Sequence, residues 1–210
     1  MIDTKTNTVV GLPIPVGSQA SGVAVTPDGR FAYVANFGGN TVLMINTTTN
    51  SVVGAAIPVG GQPSGVAVTP DGRFAYVVNQ ASNTVSIIST ATNTVVGSIP
   101  VGFQPNPVAI TPDGRFVYVG NHLSNTVSVI STTTNTVVGS IPVGSLPVGV
   151  AVTPDSRFAY VTNLLSSTVS VINTATNSVV GAAIPVGPVP FAFGSFVPII
   201  LGQDFGNSFA

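Results

Sequence analysis

Short apolar runs alternate along this chain with clusters of turn-forming residues, and the alternation itself recurs. Val, Ile, Phe and Tyr fill segments such as Phe31-Ala-Tyr-Val-Ala-Asn36 and Thr41-Val-Leu-Met-Ile-Asn46, while Gly, Pro, Asn and Thr fill the intervals. β-Branched and aromatic residues in runs this short, bounded by turn residues, predict strands and leave almost no room for helix. The block Thr-Pro-Asp-(Gly/Ser)-Arg-Phe begins at Thr26, Thr69, Thr111 and Thr153, at intervals of 43, 42 and 42 residues. Each period reads as four strands: Gly-Val-Ala-Val, the segment after the Pro-Asp-Gly turn, the Thr-Val segment, and the Val-Val-Gly segment after a Thr-rich turn.

A period of this length signals a repeat architecture. One four-stranded antiparallel sheet cannot cover both of its faces, and stacking such sheets around an axis buries them. The expected fold is therefore an all-β propeller of four complete blades. A linear β-solenoid is the alternative, but its coils are shorter and carry no hairpin turn at a fixed place. Pro70 presets φ for its turn position and Asp71-Gly72 complete a tight reversal, so the first two strands form a hairpin in every copy. Ser156 replaces that glycine in the fourth copy: either the position needs no positive φ, or this copy carries strain of about 1 kcal/mol. The extra residue of the longer interval falls in Gly54-Ala55-Ala56-Ile57, where a bulge on the fourth strand would absorb it.

Tyr33-Val-Ala-Asn36, Tyr76-Val-Val-Asn79, Tyr118-Val-Gly-Asn121 and Tyr160-Val-Thr-Asn163 resemble the signature of YVTN-family β-propeller repeats. The Asn-Thr-Val strands and Ile-Pro-Val-Gly endings recur with them, and the resemblance covers about residues 1–187. It implies a propeller of the surface-layer or secreted type, outside the cell or at its surface. It implies no single reaction, because function resides in sites and not in the fold. Rings in that family are often larger, of seven blades.

Both ends carry partial repeats. Met1-Ile-Asp-Thr-Lys-Thr-Asn-Thr-Val-Val-Gly11 matches Met44-Ile-Asn-Thr-Thr-Thr-Asn-Ser-Val-Val-Gly54, so the chain opens at the end of a third strand, and Thr6–Gly11 reads as a spare fourth strand whose partner strands are missing. Residues 188–210 are degenerate, and Phe191 to Leu201 fall where the next first and second strands belong, without the Pro-Asp-Gly turn. Joined, the two ends would make a composite fifth blade. Pairing between chains into a homo-oligomer or filament is the alternative, since an unpaired strand edge with little charge is a template for another.

Only 5% of residues are charged and the net charge is -1, which supplies no field for polyphosphates and no basic patch for nucleic acid. No apolar run is long enough to span a membrane as a helix, and residues 1–12 show no leader pattern. There is no cysteine. Apart from Asp3, Lys5 and Asp204, every charge sits in a repeated turn: Asp28 with Arg30, Asp71 with Arg73, Asp113 with Arg115, Asp155 with Arg157. Four equivalent pairs spread around a ring converge on no substrate, so Asp is read as the turn former and Arg as a local packing partner. His122, the one histidine, lies in a loop with no second strong ligand nearby in sequence, and phosphate-binding and nucleophile-elbow motifs are missing. No catalytic residue, metal or cofactor is expected.

The turns at one end of the blades are nearly identical copies, whereas the loops at the other end vary. Phe37, Gln80, His122 with Leu123, and Leu164 with Leu165 follow the second strands; Gln104 and Leu146 sit in connections between blades. Connecting loops on a rigid scaffold are the usual place for recognition, and this end offers amide, apolar and aromatic groups. The expected activity is non-catalytic binding or scaffolding toward a neutral glycan or a protein surface. Self-assembly through the termini is the alternative, with an enzyme or electron-transfer relative behind both.

Overall fold

The computed structural model of the protein describes residues 2–188 and 190. An N-terminal hairpin joins β1 (Ile2–Asp3) to β2 (Thr8–Val9). Blade 1 follows as β3 (Ala20–Val25), β4 (Phe31–Asn36), β5 (Thr41–Asn46) and β6 (Ser51–Pro58), and blade 2 as β7 (Pro63–Val68), β8 (Phe74–Asn79), β9 (Thr84–Ser89) and β10 (Thr94–Pro100). Blade 3 holds β11 (Pro105–Ile110), β12 (Phe116–Asn121), β13 (Thr126–Ser131) and β14 (Thr136–Pro142). Blade 4 holds β15 (Pro147–Val152), β16 (Phe158–Asn163) and β17 (Thr168–Asn173), with an outer strand broken into β18 (Ser178–Val179) and β19 (Ile184–Pro185). Each blade is an antiparallel meander in sequence order, and the first strands β3, β7, β11 and β15 lie side by side in succession. Blades with adjacent inner strands are the propeller arrangement, and no helix occurs among the described residues. An antiparallel meander in every period excludes the solenoid.

Thr26 N donates to Phe31 O and Gly29 N to Thr26 O, both at 2.8 Å, which closes the expected hairpin and is repeated in every blade. Gly29, Gly72 and Gly114 adopt φ of +71 to +73°, and Ser156 adopts +60° in the same place. The fourth copy therefore holds a residue with a Cβ in the left-handed region, a strain partly offset because Ser156 Oγ accepts from Asp113 N of the preceding turn at 3.0 Å. The outer strands are bulged as a class: one residue is inserted after Val95 and after Val137, and β6 absorbs the extra residue around Gly54, at φ +74°.

The core lies between blades. The face of one blade carrying Tyr33, Ala35 and Val42 packs against Val66, Ala75, Val77 and Ile88 of the next, and the same joint recurs between blades 2 and 3 and between 3 and 4. Tyr76, Val77 and Val78 are fully buried, each worth about 1.5–3 kcal/mol. Inner strands approach closely: a Cβ on Gly65 would stand 2.8 Å from Asn106 O. Each joint is also bolted by a hydrogen bond, Tyr33, Tyr76 and Tyr118 donating their hydroxyls to Oδ1 of Asn93, Asn135 and Asn177, each at 2.6 Å. Burial, then the charge of the nearby Asp, pushes Tyr76 and Tyr118 up to about 12, so both phenols remain donors at neutral pH.

The N-terminal strand differs from expectation. Thr8–Val9 is not without a partner, because Ile2–Asp3 supplies the last two residues of a third strand. Beyond it, Ile14 and Val16 pack on Ala32, Val34 and Ile45 of blade 1. The strands expected of residues 191–201, and with them the composite fifth blade, lie outside the described residues.

Candidate binding face

Two ends of the blade array were distinguished by sequence, and the structure separates them in the same way. At one end, the Pro-Asp-Gly turns meet the Thr-rich turns: Thr47 Oγ1 donates to Gly29 O at 2.6 Å, with the same contact at Thr90 and Thr132. Asp71 Oδ1 accepts from Thr69 Oγ1 at 2.5 Å and from Arg73 N at 3.0 Å, and these bonds hold its carboxyl below the usual range. Asp28 and Asp155 are depressed for the same reasons, the threonine hydroxyl first. Asp113 instead accepts from Arg115 N. The guanidinium groups of Arg30, Arg73, Arg115 and Arg157 lie 5.3–5.6 Å from the centroids of the phenylalanine rings that follow them. All four pairs are occupied by local structure. A cavity of about 420 Å3 opens between the first two turns, beside Met44, Tyr33 and Asn93, with its carboxylates bound into their own turns.

The variegated end is built differently. Phe37, Gln80, His122 and Leu164 occupy equivalent positions after the second strand of their blades. Each donates its backbone N–H to the connection entering the same blade: to Gln19 O at 3.0 Å, Gln62 O at 3.0 Å, Gln104 O at 3.1 Å and Leu146 O at 2.9 Å. Those acceptor residues all sit in the left-handed region, at φ of 48 to 56°. An asparagine of the preceding blade holds three of them there: Asn40, Asn83 and Asn125 accept through Oδ1 from the N–H of Gln62, Gln104 and Leu146 at 2.8–2.9 Å. Serine hydroxyls of the second-strand loops accept from Gly61, Phe103 and Ser145 N–H at 2.7–2.8 Å. The backbone of this end is thus a continuous network running from blade to blade, while its side chains vary. Non-glycine residues held in the left-handed region cost free energy that the surrounding bonds must supply.

Exposure sorts the residues picked out by sequence. Leu123 is 61% and Leu165 74% exposed, Gln104 is exposed, and Phe37, Gln80, His122, Leu146 and Leu164 are half-buried at the base of the loops. The structure brings them together pairwise within a blade, as bonded loop pairs. Sequence reasoning missed Phe103, 67% exposed, whose carbonyl accepts from Leu123 N at 3.2 Å. Its signal was present: it is the one large residue where the other copies have Ser18, Gly61 and Ser145. Burial lowers the His122 pKa, and its Nε2 is enclosed without a hydrogen-bond partner, so the ring is neutral near pH 7. Among the described residues no three His, Cys, Asp or Glu side chains cluster in a way that could hold a metal, and no helix is long and apolar enough to cross a membrane.

Residues 4–97 match the family described as lactonase, 7-bladed beta-propeller, and residues 74–141 match the YNCE-like beta-propeller family. None of the curated proteins matches the chain. Among solved structures, hydrazine synthase from Kuenenia stuttgartiensis is similar with a TM-score of 0.74 at 31% identity, over 85% of this chain and 52% of that one. A functionally unknown protein from Desulfotomaculum acetoxidans is similar at 23% identity and a TM-score of 0.67, over 82% of this chain and 59% of that one. A candidate 6-phosphogluconolactonase from Bacteroides uniformis shares the fold at 18% identity and a TM-score of 0.72, over 82% and 56%. The chain therefore spans 52–59% of the length of the three structures. The four sheets are β-propeller blades, and residues 4–141 carry the similarity to the lactonase and YNCE-like propeller models.

Proposed function

We propose that this chain is a non-catalytic binding scaffold, working outside the cell or at its surface, whose variegated end recognises a neutral glycan or an uncharged protein surface. One observation carries the reading: the loops at that end share a single hydrogen-bonded backbone, and it displays a different side chain in each blade. A rigid frame with variable tips lowers the entropy cost of recognition, because the contact residues are ordered before the partner arrives. Phe103 and Leu123, joined through a backbone hydrogen bond, and Leu165 in the next blade supply exposed apolar side chains for such a contact. No charged side chain lies in these loops, so a neutral partner loses no ion hydration on docking.

The test is binding of the intact chain to immobilised uncharged polysaccharides, compared with Leu123→Asp and Leu165→Asp at the projecting positions. Both substitutions should abolish binding in protein that still melts cooperatively. The lactonase match motivates one further assay, hydrolysis of a panel of sugar lactones, for which no turnover above the uncatalysed rate is expected. Turnover that disappears on substituting a turn aspartate would overturn the scaffold reading.

A further inference from the structure

His122 sits in the middle of the blade array, in the loop pair of blade 3, and Nε2 of its ring is enclosed with no hydrogen-bond partner among the described residues. The imidazolium carries an N–H on both ring nitrogens, so protonation puts a charged donor at Nε2 whichever nitrogen bore the proton before. A charge enclosed without a partner costs a fold heavily. Nothing at this end can compensate it. No Asp, Glu, Lys, Arg or Tyr occurs in the segments that surround the ring, 80–84 of blade 2, 101–107 and 121–126 of blade 3, and 143–147 and 163–168 of blade 4. Asp113 and Arg115 lie in the turn at the far end of blade 3, and Tyr118 sends its hydroxyl to Asn177 at that same far end. Burial is accordingly the one cause that lowers the His122 pKa.

The bonds that close this loop are also those that carry its apolar tips. His122 N donates to Gln104 O at 3.1 Å and Leu123 N to Phe103 O at 3.2 Å, while Phe103 N donates to Ser124 Oγ and Gln104 N to Asn83 Oδ1, both at 2.8 Å. Hydrating the ring means breaking the first two, and with them the backbone link between Leu123 and Phe103. The equivalent positions in the other blades, Phe37, Gln80 and Leu164, have no proton to gain. We infer that His122 is a proton-operated latch on the binding face: protonation opens the blade 3 loop pair, parts Leu123 from Phe103, and releases the partner held there in mildly acidic surroundings. The release rests on the binding role proposed above, whereas the opening does not. In the open loop the ring meets water and keeps the ordinary value of 6.5, and in the closed loop it lies lower, so the open form takes the proton first. The open fraction therefore rises as pH falls through that value, by at most about tenfold per pH unit, and levels off below the closed form's own value. A partner that needs the closed loop loses apparent affinity as the closed fraction falls.

The experiment is amide hydrogen exchange on the full chain at several pH values between about 7.5 and 5, expressed as protection factors so that the pH dependence of the exchange chemistry cancels. It is run beside His122→Gln, which places at the latch the residue that blade 2 carries at Gln80. Protection at positions 122 and 123 should fall about tenfold across this range, while Gln80 with Ala81 and Leu164 with Leu165 keep theirs, and the fall should vanish in His122→Gln. Asp28, Asp71 and Asp155 are held below the ordinary carboxylate value, so they stay charged throughout and do not confuse the reading. Retention on the immobilised uncharged polysaccharides is followed at the same pH values. The parent chain should be released as protection falls, and His122→Gln should show no such pH dependence. Exchange needs no ligand, so a chain that binds no polysaccharide removes the binding role while exchange still decides the latch. Flat protection at both positions, a fall shared equally by the loops of blades 2 and 4, or one that persists in His122→Gln would overturn the latch. Polysaccharide that stays bound to the parent chain while protection falls would overturn the release.

Discussion

Replacing Tyr76 by Phe isolates the bolt between blades 2 and 3. The ring and its burial against Val117 and Ile130 remain, and only the 2.6 Å bond from the hydroxyl to Asn135 Oδ1 is lost. A single hydrogen bond of this kind is worth about 1 kcal/mol net, and an acceptor sealed from water would add the cost of its desolvation, about 1–3 kcal/mol. Asn135 is half-buried, so water reaches the freed oxygen and the cost should stay near 1 kcal/mol, a fall in Tm of about 2–4 °C for a chain of this size. Tyr160→Phe is the internal control. Having no partner among the described residues, it should change stability by less than about 0.5 kcal/mol when the chain is monomeric. Urea denaturation followed by far-ultraviolet circular dichroism reads both changes as shifts of midpoint at constant slope. Asn135→Gly removes the acceptor while tolerating φ 54°, and the double variant should show a coupling of about 1 kcal/mol. Equal effects of Tyr76→Phe and Tyr160→Phe, or no coupling with Asn135, would refute the reasoning.

Other parts of the account can be checked as simply. Asp71→Ala removes the acceptor for Thr69 Oγ1 and Arg73 N in an exposed turn, and denaturation should show a loss of about 1 kcal/mol with loop-end binding unchanged. Gly65→Ala drives a Cβ into the backbone of blade 3 and should cost about 1–3 kcal/mol, whereas Gly139→Ala, whose Cβ meets Val129 at 3.8 Å, should be close to neutral by the same measurement. The folded-state pKa of His122 lies below the ordinary 6.5, so the unfolded chain binds the extra proton first and stability should fall as pH drops through that value. His122→Gln should flatten this dependence in denaturation curves taken between neutral and mildly acidic pH, leaving only the aspartate titrations at lower pH.

The blades were legible because strand periodicity, turn chemistry and repeat spacing all pointed to one arrangement. Pro70-Asp71-Gly72 placed a hairpin by local geometry alone, and the extra residue near Gly54 announced its bulge. The tyrosine bolts were not legible, since Tyr76 and Asn135 are 59 residues apart and meet only once blades stack. Ser156 illustrates the limit of local reasoning: its identity left the sign of φ open, and the hydroxyl bond to Asp113 N that helps hold it at +60° belongs to the neighbouring blade. The residues picked out at the loop end are graded by depth. Leu123 and Leu165 project, while Leu164 and Phe37 form the loop bases, because the backbone bonds to Leu146 and Gln19 fold those bases inward. Phe103 stands outside the repeated strands and turns, just before the Gln-Pro element, where the other copies carry the small residues Ser18, Gly61 and Ser145.

The division of labour between the two ends is tested most directly by a scan that places one aspartate at a time at the four equivalent loop positions, Phe37, Gln80, His122 and Leu164, and one alanine at a time at the turn aspartates Asp28, Asp71, Asp113 and Asp155. Binding to the uncharged surface recognised by the parent chain is measured for all eight, alongside their melting temperatures. The account predicts that binding falls at one or more adjacent loop positions with melting retained, and that the turn variants lose stability while still binding. Binding lost at a turn position whose melting curve is unchanged, with the loop variants intact, would contradict it.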